Sequence, residues 1–285
     1  GLVVIVLALR YIPHDRRRTT RHQAGMDVAS MALIGAGLLA GMLTISYKGE
    51  TNARIGSLAF VVPLILAFVC VSVFVRHINR AVHPFIAPRL IYGPGFGTVN
   101  LVNATFGGIT QGAVALIPLY AANRYGIDAL GSGTLLIAQG AAAILLSVAG
   151  ALVLRRTGHR LPLYVGSAVI ATGLVLLALH PVAGLSPYAW LAGAAFLVGA
   201  GSGAINPASR NAGLQLAPEH SSTLAALRSA SLQIGSITTV SIVTALLTRS
   251  SDPGVVQSWT YVMAALLLLV FFPLINHMPE HRGAW

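Results

Sequence analysis

The run LAFVVPLILAFVCVSVFV, residues 58–75, holds 18 consecutive residues without a charge, and it decides the fold class. A bilayer core about 30 Å thick is crossed by about 20 mostly apolar helical residues, because each residue adds about 1.5 Å. Together with this run, which we extend to 55–75, the chain holds seven similar runs, at 27–47, 98–121, 129–154, 161–180, 186–207, 222–248 and 256–276. The sequence therefore predicts eight full membrane spans.

Composition supports the same fold class. The chain is 55% hydrophobic and 9% charged, with a mean hydropathy of +0.78, which lies outside the range of soluble proteins. Barrel strands would alternate apolar and polar residues over about ten positions, whereas these runs are continuous. We therefore predict an all-α, polytopic transmembrane helical bundle.

The first residues form an apolar segment that is too short to cross a membrane. Residues 1–12 are apolar apart from Arg10, and the further positive charge follows them rather than precedes them, which is the wrong polarity for a signal peptide. We expect residues 1–12 to be the end of a truncated helix and residues 13–26 to be a basic cytoplasmic loop. A second long basic connector is expected at 76–97.

The basic residues alternate between successive connectors, which predicts the orientation. One set of connectors holds Arg10, Arg16, Arg17, Arg18, Arg21, Arg76, Arg80, Arg89, Arg155, Arg156, Arg160, Arg210 and Arg282. The other set holds only Lys48, Arg54, Arg124 and Arg249. Because cytoplasmic loops are enriched in Lys and Arg, the first set is predicted to be cytoplasmic, together with the C-terminal tail at 277–285. The net charge of +11 is thus an orientation signal, with a possible role in binding anionic lipid, and does not indicate nucleic acid.

Polar side chains within the apolar runs are the candidates for a substrate cavity, because lipid contact is costly for them. These residues are Asn100, Asn103, Gln111, Gln139, Asn206 and Gln233. Asn100, Asn103 and Gln111 are spaced so that they share roughly one helical face. The alternative for each residue is a hydrogen bond between helices without contact to a ligand.

Arg228 is the one basic residue inside a predicted span, about 10 Å from its start. Either its side chain reaches the cytoplasmic interface as a structural anchor, or it acts in substrate binding or gating. Small residues four apart, at Gly37 and Gly41, Gly108 and Gly112, and Gly199 and Gly203, predict close helix packing.

Signals of catalysis and of cofactors are absent from the sequence. There is no H-E-x-x-H or G-x-S-x-G motif, and the single cysteine, Cys70, lies in an apolar run. No spacing of Cys and His suggests zinc. We therefore expect no enzyme activity, no metal and no cofactor, and a membrane-embedded enzyme is the least favoured alternative.

Three stretches resemble the major facilitator superfamily, specifically its fourteen-span branch of multidrug/proton antiporters. They are LIPLY at 116–120 with the following YG and GSGTLL, the loop RRTGHR at 155–160, and GAGSG at 199–203 with Pro207, APE at 217–219 and QIG at 233–235. In the loop, Arg156, Gly158 and Arg160 match the family's G-x-x-x-D-R-x-G-R-R pattern. Ala151 replaces its first Gly, and Arg155 replaces its Asp. The resemblance implies a gating role for this loop.

The resemblance also implies a domain organisation and a function. Residues 27–75 would be a two-span insert, residues 98–276 the six-span C-terminal bundle, and an N-terminal bundle would be missing. The family implies proton-coupled efflux of small amphipathic or drug-like molecules, in the plasma (inner) membrane, by alternating access at the bundle interface. The expected partners are lipid, a small-molecule substrate, protons and the missing bundle. A half-size permease acting as a dimer is the alternative.

Overall fold

The computed structural model describes residues 27–48, 56–81, 86–182 and 184–280. The predictions for the truncated helix at 1–12, the loop at 13–26, and Arg282 lie outside the described residues. The described part is helical and contains no strand, so the predicted all-α bundle is confirmed. Seven of its helices are long and apolar enough to span a membrane, or eight when one bent pair of helices counts as a span.

The helices are numbered here in chain order. They are α1 Val28–Lys48, α2 Leu58–Ile78, α3 Pro88–Tyr92, α4 Phe96–Val102, α5 Gly108–Ala115, α6 Ile117–Tyr125, α7 Ala129–Thr157, α8 Arg160–Ala178, α9 Pro187–Leu216, α10 Ser221–Leu247, α11 Pro253–Val270 and α12 Phe272–Ile275. A π-helical turn, Asn103–Gly107, joins α4 to α5, and a 3₁₀ turn, Pro218–His220, precedes α10.

The region predicted as one span at 98–121 is a broken helix. The axis from α4 to α5 bends by 42° into α6, and the break lies at Leu116, two residues before Pro118. Proline lacks the backbone donor that an uninterrupted helix needs, so a bend at this point follows from the sequence. The connector predicted at 76–97 begins with the last turn of α2 and contains the short helix α3, which starts at Pro88.

Two side chains of α11 hold this bend. The Nε2 group of Gln257 donates to the Leu116 carbonyl at 2.8 Å, and the Tyr261 hydroxyl donates to the Ala113 carbonyl at 3.4 Å. Both side chains are buried. The Leu116 carbonyl also accepts from the Tyr120 backbone N–H and the Ala113 carbonyl from the Leu116 N–H, so the side chains of α11 add a second hydrogen bond to each carbonyl at the bend.

Glycines allow the helices to approach closely at the pairs identified in the sequence. A methyl group added at Gly108 would lie 2.5 Å from the Gly235 Cα atom, so α5 and α10 touch backbone to backbone. The pair Gly199 and Gly203 lies in the same way against the backbone of α7, and Gly37 lies against α2. The small-residue pattern therefore marks three helix contacts in the bundle.

Contacts between helix ends define two ends of the bundle. At one end the Arg89 guanidinium lies 3.8 Å from the Glu219 carboxylate, and the His159 ring lies 2.9 Å from the Gln215 amide. We call this the basic end. At the opposite end Arg124 lies 2.6 Å from His180. The connectors that the charge pattern grouped together thus meet at the basic end, as far as the described residues show.

Candidate functional site

A vestibule opens near the basic end between α4, α9 and α10. It consists of two adjoining cavities of about 190 and 490 Å³, which share Arg210, Leu214 and Arg228 in their walls. The smaller cavity has an apolar side that includes Phe96 and Leu224. The vestibule therefore combines cationic, amide and apolar surfaces, which is typical of small-molecule sites.

The Arg228 side chain reaches from α10 to α9 inside the vestibule. Its Nη2 group donates to the Asn206 Oδ1 atom at 2.9 Å and to the Ser209 hydroxyl at 3.4 Å. Its Nε atom is buried and has no hydrogen-bond partner among the described residues. Two residues from separate predictions, Asn206 for the cavity and Arg228 as a structural anchor or in substrate binding or gating, are thus brought into direct contact.

Asn100 and Asn103 also line the smaller cavity, where each makes a structural hydrogen bond. The Asn100 amide donates to the carbonyls of Leu90 at 3.2 Å and Ile91 at 3.1 Å, which are orphan acceptors near the end of α3. The Asn103 amide donates to the Val99 carbonyl at 2.9 Å, and its side chain is buried.

Gln111 lies in a separate place from these two residues. It borders a small cavity of about 40 Å³, together with Asn206, Gly107 and Thr110. A π-helical turn contains one more residue per turn than an α-helix, which rotates every later side chain by about 100°. The turn Asn103–Gly107 therefore changes the angular position of Gln111 around the helix axis relative to Asn100 and Asn103.

Gln139 and Gln233 do not belong to the vestibule. Gln139 is half-buried, and its backbone carbonyl lies against Gly199 at the contact between α7 and α9. Gln233 is exposed, and neither residue borders the cavities described above. Four of the six predicted cavity residues thus line three neighbouring cavities: Asn100 and Asn103 the smaller vestibule cavity, Asn206 the larger one, and Gln111 with Asn206 the cavity of about 40 Å³.

The loop between α7 and α8 is organised by Gly158 and Arg160. Gly158 has a φ of 73°, a left-handed conformation that other residues adopt at a cost, and it ends α7. Arg160 donates through Nε and Nη2 to the Met278 carbonyl at 3.0 and 2.7 Å, and it lies 3.4 Å from Glu280. Arg156 is exposed, and Arg155 occupies the last turn of α7. Arg160 thereby attaches the C-terminal segment to α8.

Sequence reasoning did not identify Arg210, Ser209 and Asn211 as site residues. Arg210 was assigned to a connector, yet α9 continues to Leu216 and places it in the vestibule wall. The predicted span ended at Pro207, whereas the helix runs through that proline to Leu216. The feature of the sequence that could have revealed the longer helix is that no turn sequence follows Pro207. Among the described residues no group of three His, Cys, Asp or Glu side chains lies close enough to hold a metal.

The sequence profile of the Major Facilitator Superfamily matches residues 2–240, which is most of the chain. The chain belongs to the major facilitator superfamily. Two curated relatives, both named Multidrug resistance protein B homolog and both from strains of Mycobacterium tuberculosis, are 27% identical to it over 176 residues. That alignment covers 61% of this chain and 32% of each relative. The chain thus spans about a third of the length of the curated relatives it matches.

The major facilitator superfamily is a family of multi-span membrane transporters. In such transporters, substrate binds between helices at a site that alternating access exposes to either side in turn. The vestibule has the location expected for part of such a site, since it lies among three helices and opens at one end of the bundle.

Proposed function

We propose that the chain forms the C-terminal part of a secondary active transporter that exports small amphipathic molecules in exchange for protons. The observation that carries this proposal is the vestibule, where Asn103, Asn206 and Arg228 face a cavity that opens at the basic end. The positive-inside rule assigns that end to the cytoplasm, with the C-terminus on the same side, in the plasma (inner) membrane. A substrate taken up there would come from the cytoplasm or the inner leaflet.

The fourteen-span branch of the family is part of the proposal. It is supported by the pair α1 and α2, which pack against each other through Gly37 and against the bundle through α10. An additional pair of spans between two six-span bundles is what that branch contains. The name of the two relatives, Multidrug resistance protein B homolog, agrees with an export function.

Alternating access needs two bundles that rock about a site between them. We therefore propose that a second bundle faces the vestibule and supplies the carboxylate that carries the proton. The acidic residues of this sequence fall in connectors or at helix ends, which supports that assignment. We propose that the bent span moves during transport, because a break at Leu116 allows α6 to turn relative to α5.

Labelling of introduced cysteines tests whether the proposed substrate path through the vestibule is filled with water. In a background where Cys70 is replaced by Ser, we expect Asn206→Cys and Gln111→Cys to react with a membrane-impermeant maleimide applied at the basic end. Leu101→Cys is the matched control, since Leu101 is 49% exposed on α4 and apolar. Water is needed to form the reactive thiolate, so a lipid-facing cysteine reacts slowly. Equal labelling of Leu101→Cys and Asn206→Cys would refute a water-filled vestibule.

A further inference from the structure

We propose that the vestibule binds the oxyanion of an amphipathic ligand, a carboxylate, sulfonate or phosphate group, between Arg210 and Arg228. This inference rests on the proposed transport function and names its substrate class. It starts from one observation, namely that two guanidinium groups share the walls of both cavities. A site for a cationic molecule would instead present negatively charged side chains.

The two arginines have no acidic partner among the described residues. The Arg228 hydrogen bonds go to a neutral amide and a neutral hydroxyl, and no carboxylate borders either cavity. Carboxylates in the described part lie at helix ends or beyond them, at Asp27, Asp128, Glu219, Asp252 and Glu280. Two like charges in a partly dehydrated site repel each other, and an anion between them would remove that repulsion.

Free donors remain for such an anion. A guanidinium group carries five N–H donors in a planar fork that matches the two oxygens of an oxyanion. The buried Nε of Arg228 has no partner in the described part of the chain, and Nη2 already positions the group through Asn206. The arginine is thus held through Nη2, and its Nη1 group makes no hydrogen bond among the described residues.

The remaining walls determine the shape of the ligand. The smaller cavity is bordered on its apolar side by Phe96, Val99, Leu214 and Leu224. These side chains would pack against hydrocarbon, while Ser229 and Asn103 provide neutral polar contacts beside the arginines. A ligand with one anionic head and an apolar body satisfies both surfaces, whereas an inorganic ion would leave the apolar walls uncovered.

Fluorescent probes with one skeleton and different charge test this assignment. We would reconstitute the 285-residue chain in phosphatidylcholine nanodiscs and titrate 11-(dansylamino)undecanoic acid, its neutral methyl ester and the corresponding alkylammonium compound. We expect the acid to bind at least tenfold more tightly than the other two. Hydrogen bonds to charged groups contribute about 1.5–3 kcal/mol, so Arg210→Gln and Arg228→Gln should each weaken acid binding about 10- to 100-fold.

Matched variants separate the site from general charge effects. Arg249→Gln removes an exposed arginine at the opposite end of the bundle and should leave binding unchanged. Arg228→Gln also removes a contact between helices, so Arg210→Gln, which alters no hydrogen bond among the described residues, is the decisive variant. Equal binding of all three probes, or equal effects of Arg210→Gln and Arg249→Gln, would overturn the proposal.

Two further experiments complete the test. One identifies the source of the oxyanion, and the other separates the anion site from the proposed export function. In nanodiscs that contain phosphatidylglycerol, this lipid should weaken binding of the acid if lipid headgroups enter the site. The affinity for the acid should be unchanged if only free amphiphiles enter it. Proton-driven movement of the alkylammonium compound but not of the acid, in vesicles that hold both bundles, would overturn the anion site and preserve the transporter. Acid binding without proton-driven movement of any probe would preserve the anion site and refute export.

Discussion

The contact between Gly108 and Gly235 makes a sharp test of the packing, because both partners are backbone atoms. A methyl group at Gly108 would lie 2.5 Å from the Gly235 Cα, 2.8 Å from the Gly235 carbonyl carbon and 3.1 Å from the Ser236 nitrogen. Ordinary carbon contacts begin at about 3.5 Å, so α5 and α10 must separate by roughly 1 Å. No side-chain rotation can relieve this overlap.

The magnitude follows from two opposing effects. Overpacking in a well-packed core costs about 1–3 kcal/mol, and the upper part of that range applies where backbone must move. Alanine in place of glycine within a helix recovers about 1 kcal/mol. We therefore expect Gly108→Ala to lower the free energy of unfolding by about 2 kcal/mol.

Two other glycines provide matched controls. Gly140 lies inside α7, and a methyl group added there meets nothing within 4 Å, so Gly140→Ala should leave stability unchanged or raise it slightly. Gly112 faces the Thr239 side chain at 2.6 Å, so Gly112→Ala should be destabilising as well. The measurement is unfolding in mixed detergent micelles, followed by circular dichroism as the SDS fraction rises. Equal midpoints for Gly108→Ala and Gly140→Ala would refute the close contact of α5 with α10.

Three more predictions concern the ends and the bend of the bundle. Arg160→Gln removes the hydrogen bonds to the Met278 carbonyl. The segment after α12 should then be cut by protease at concentrations that leave the parent chain intact, and unchanged cleavage would exclude the anchoring role. Gln257→Leu removes the hydrogen bond to the Leu116 carbonyl and should lower the free energy of unfolding by about 1 kcal/mol in the same SDS titration. An unchanged free energy of unfolding would mean that the bend needs no support from α11. Reporter fusions after Arg156 should report cytoplasm and those after Tyr125 the exterior, and the reverse result would invert the proposed orientation.

The hydropathy of the sequence predicted most of the helical architecture. Long apolar runs identified the spans, whereas the bend near Leu116, two residues before Pro118, became clear only in the structure. Helix ends were less certain, because α9 continues through Pro207 to Leu216 and α2 extends to Ile78. Proline within a helix is tolerated in membrane proteins when neighbouring helices satisfy the freed backbone, and that depends on tertiary packing.

The candidate site was only partly predictable, for a similar reason. The cost of polar groups in lipid pointed to Asn103, Asn206 and Arg228, and all three lie in the vestibule. Their mutual geometry depends on the π-helical turn Asn103–Gly107, for which the local sequence has no recognised signal. The same turn changes the angular position of Gln111 around the helix axis, so a spacing rule based on an ideal α-helix does not give its position relative to Asn103.

Proton-driven transport in sealed vesicles tests the central claim most directly. The measurement is movement of a fluorescent amphiphile after a pH jump, with the 285-residue chain alone and with the chain joined to the coding sequence upstream of Gly1. We expect movement that stops with an uncoupler in the second preparation and none in the first, because alternating access needs two bundles. Proton-driven movement by the chain alone would instead establish a half-size transporter acting as a dimer. The absence of movement in both preparations would contradict the account.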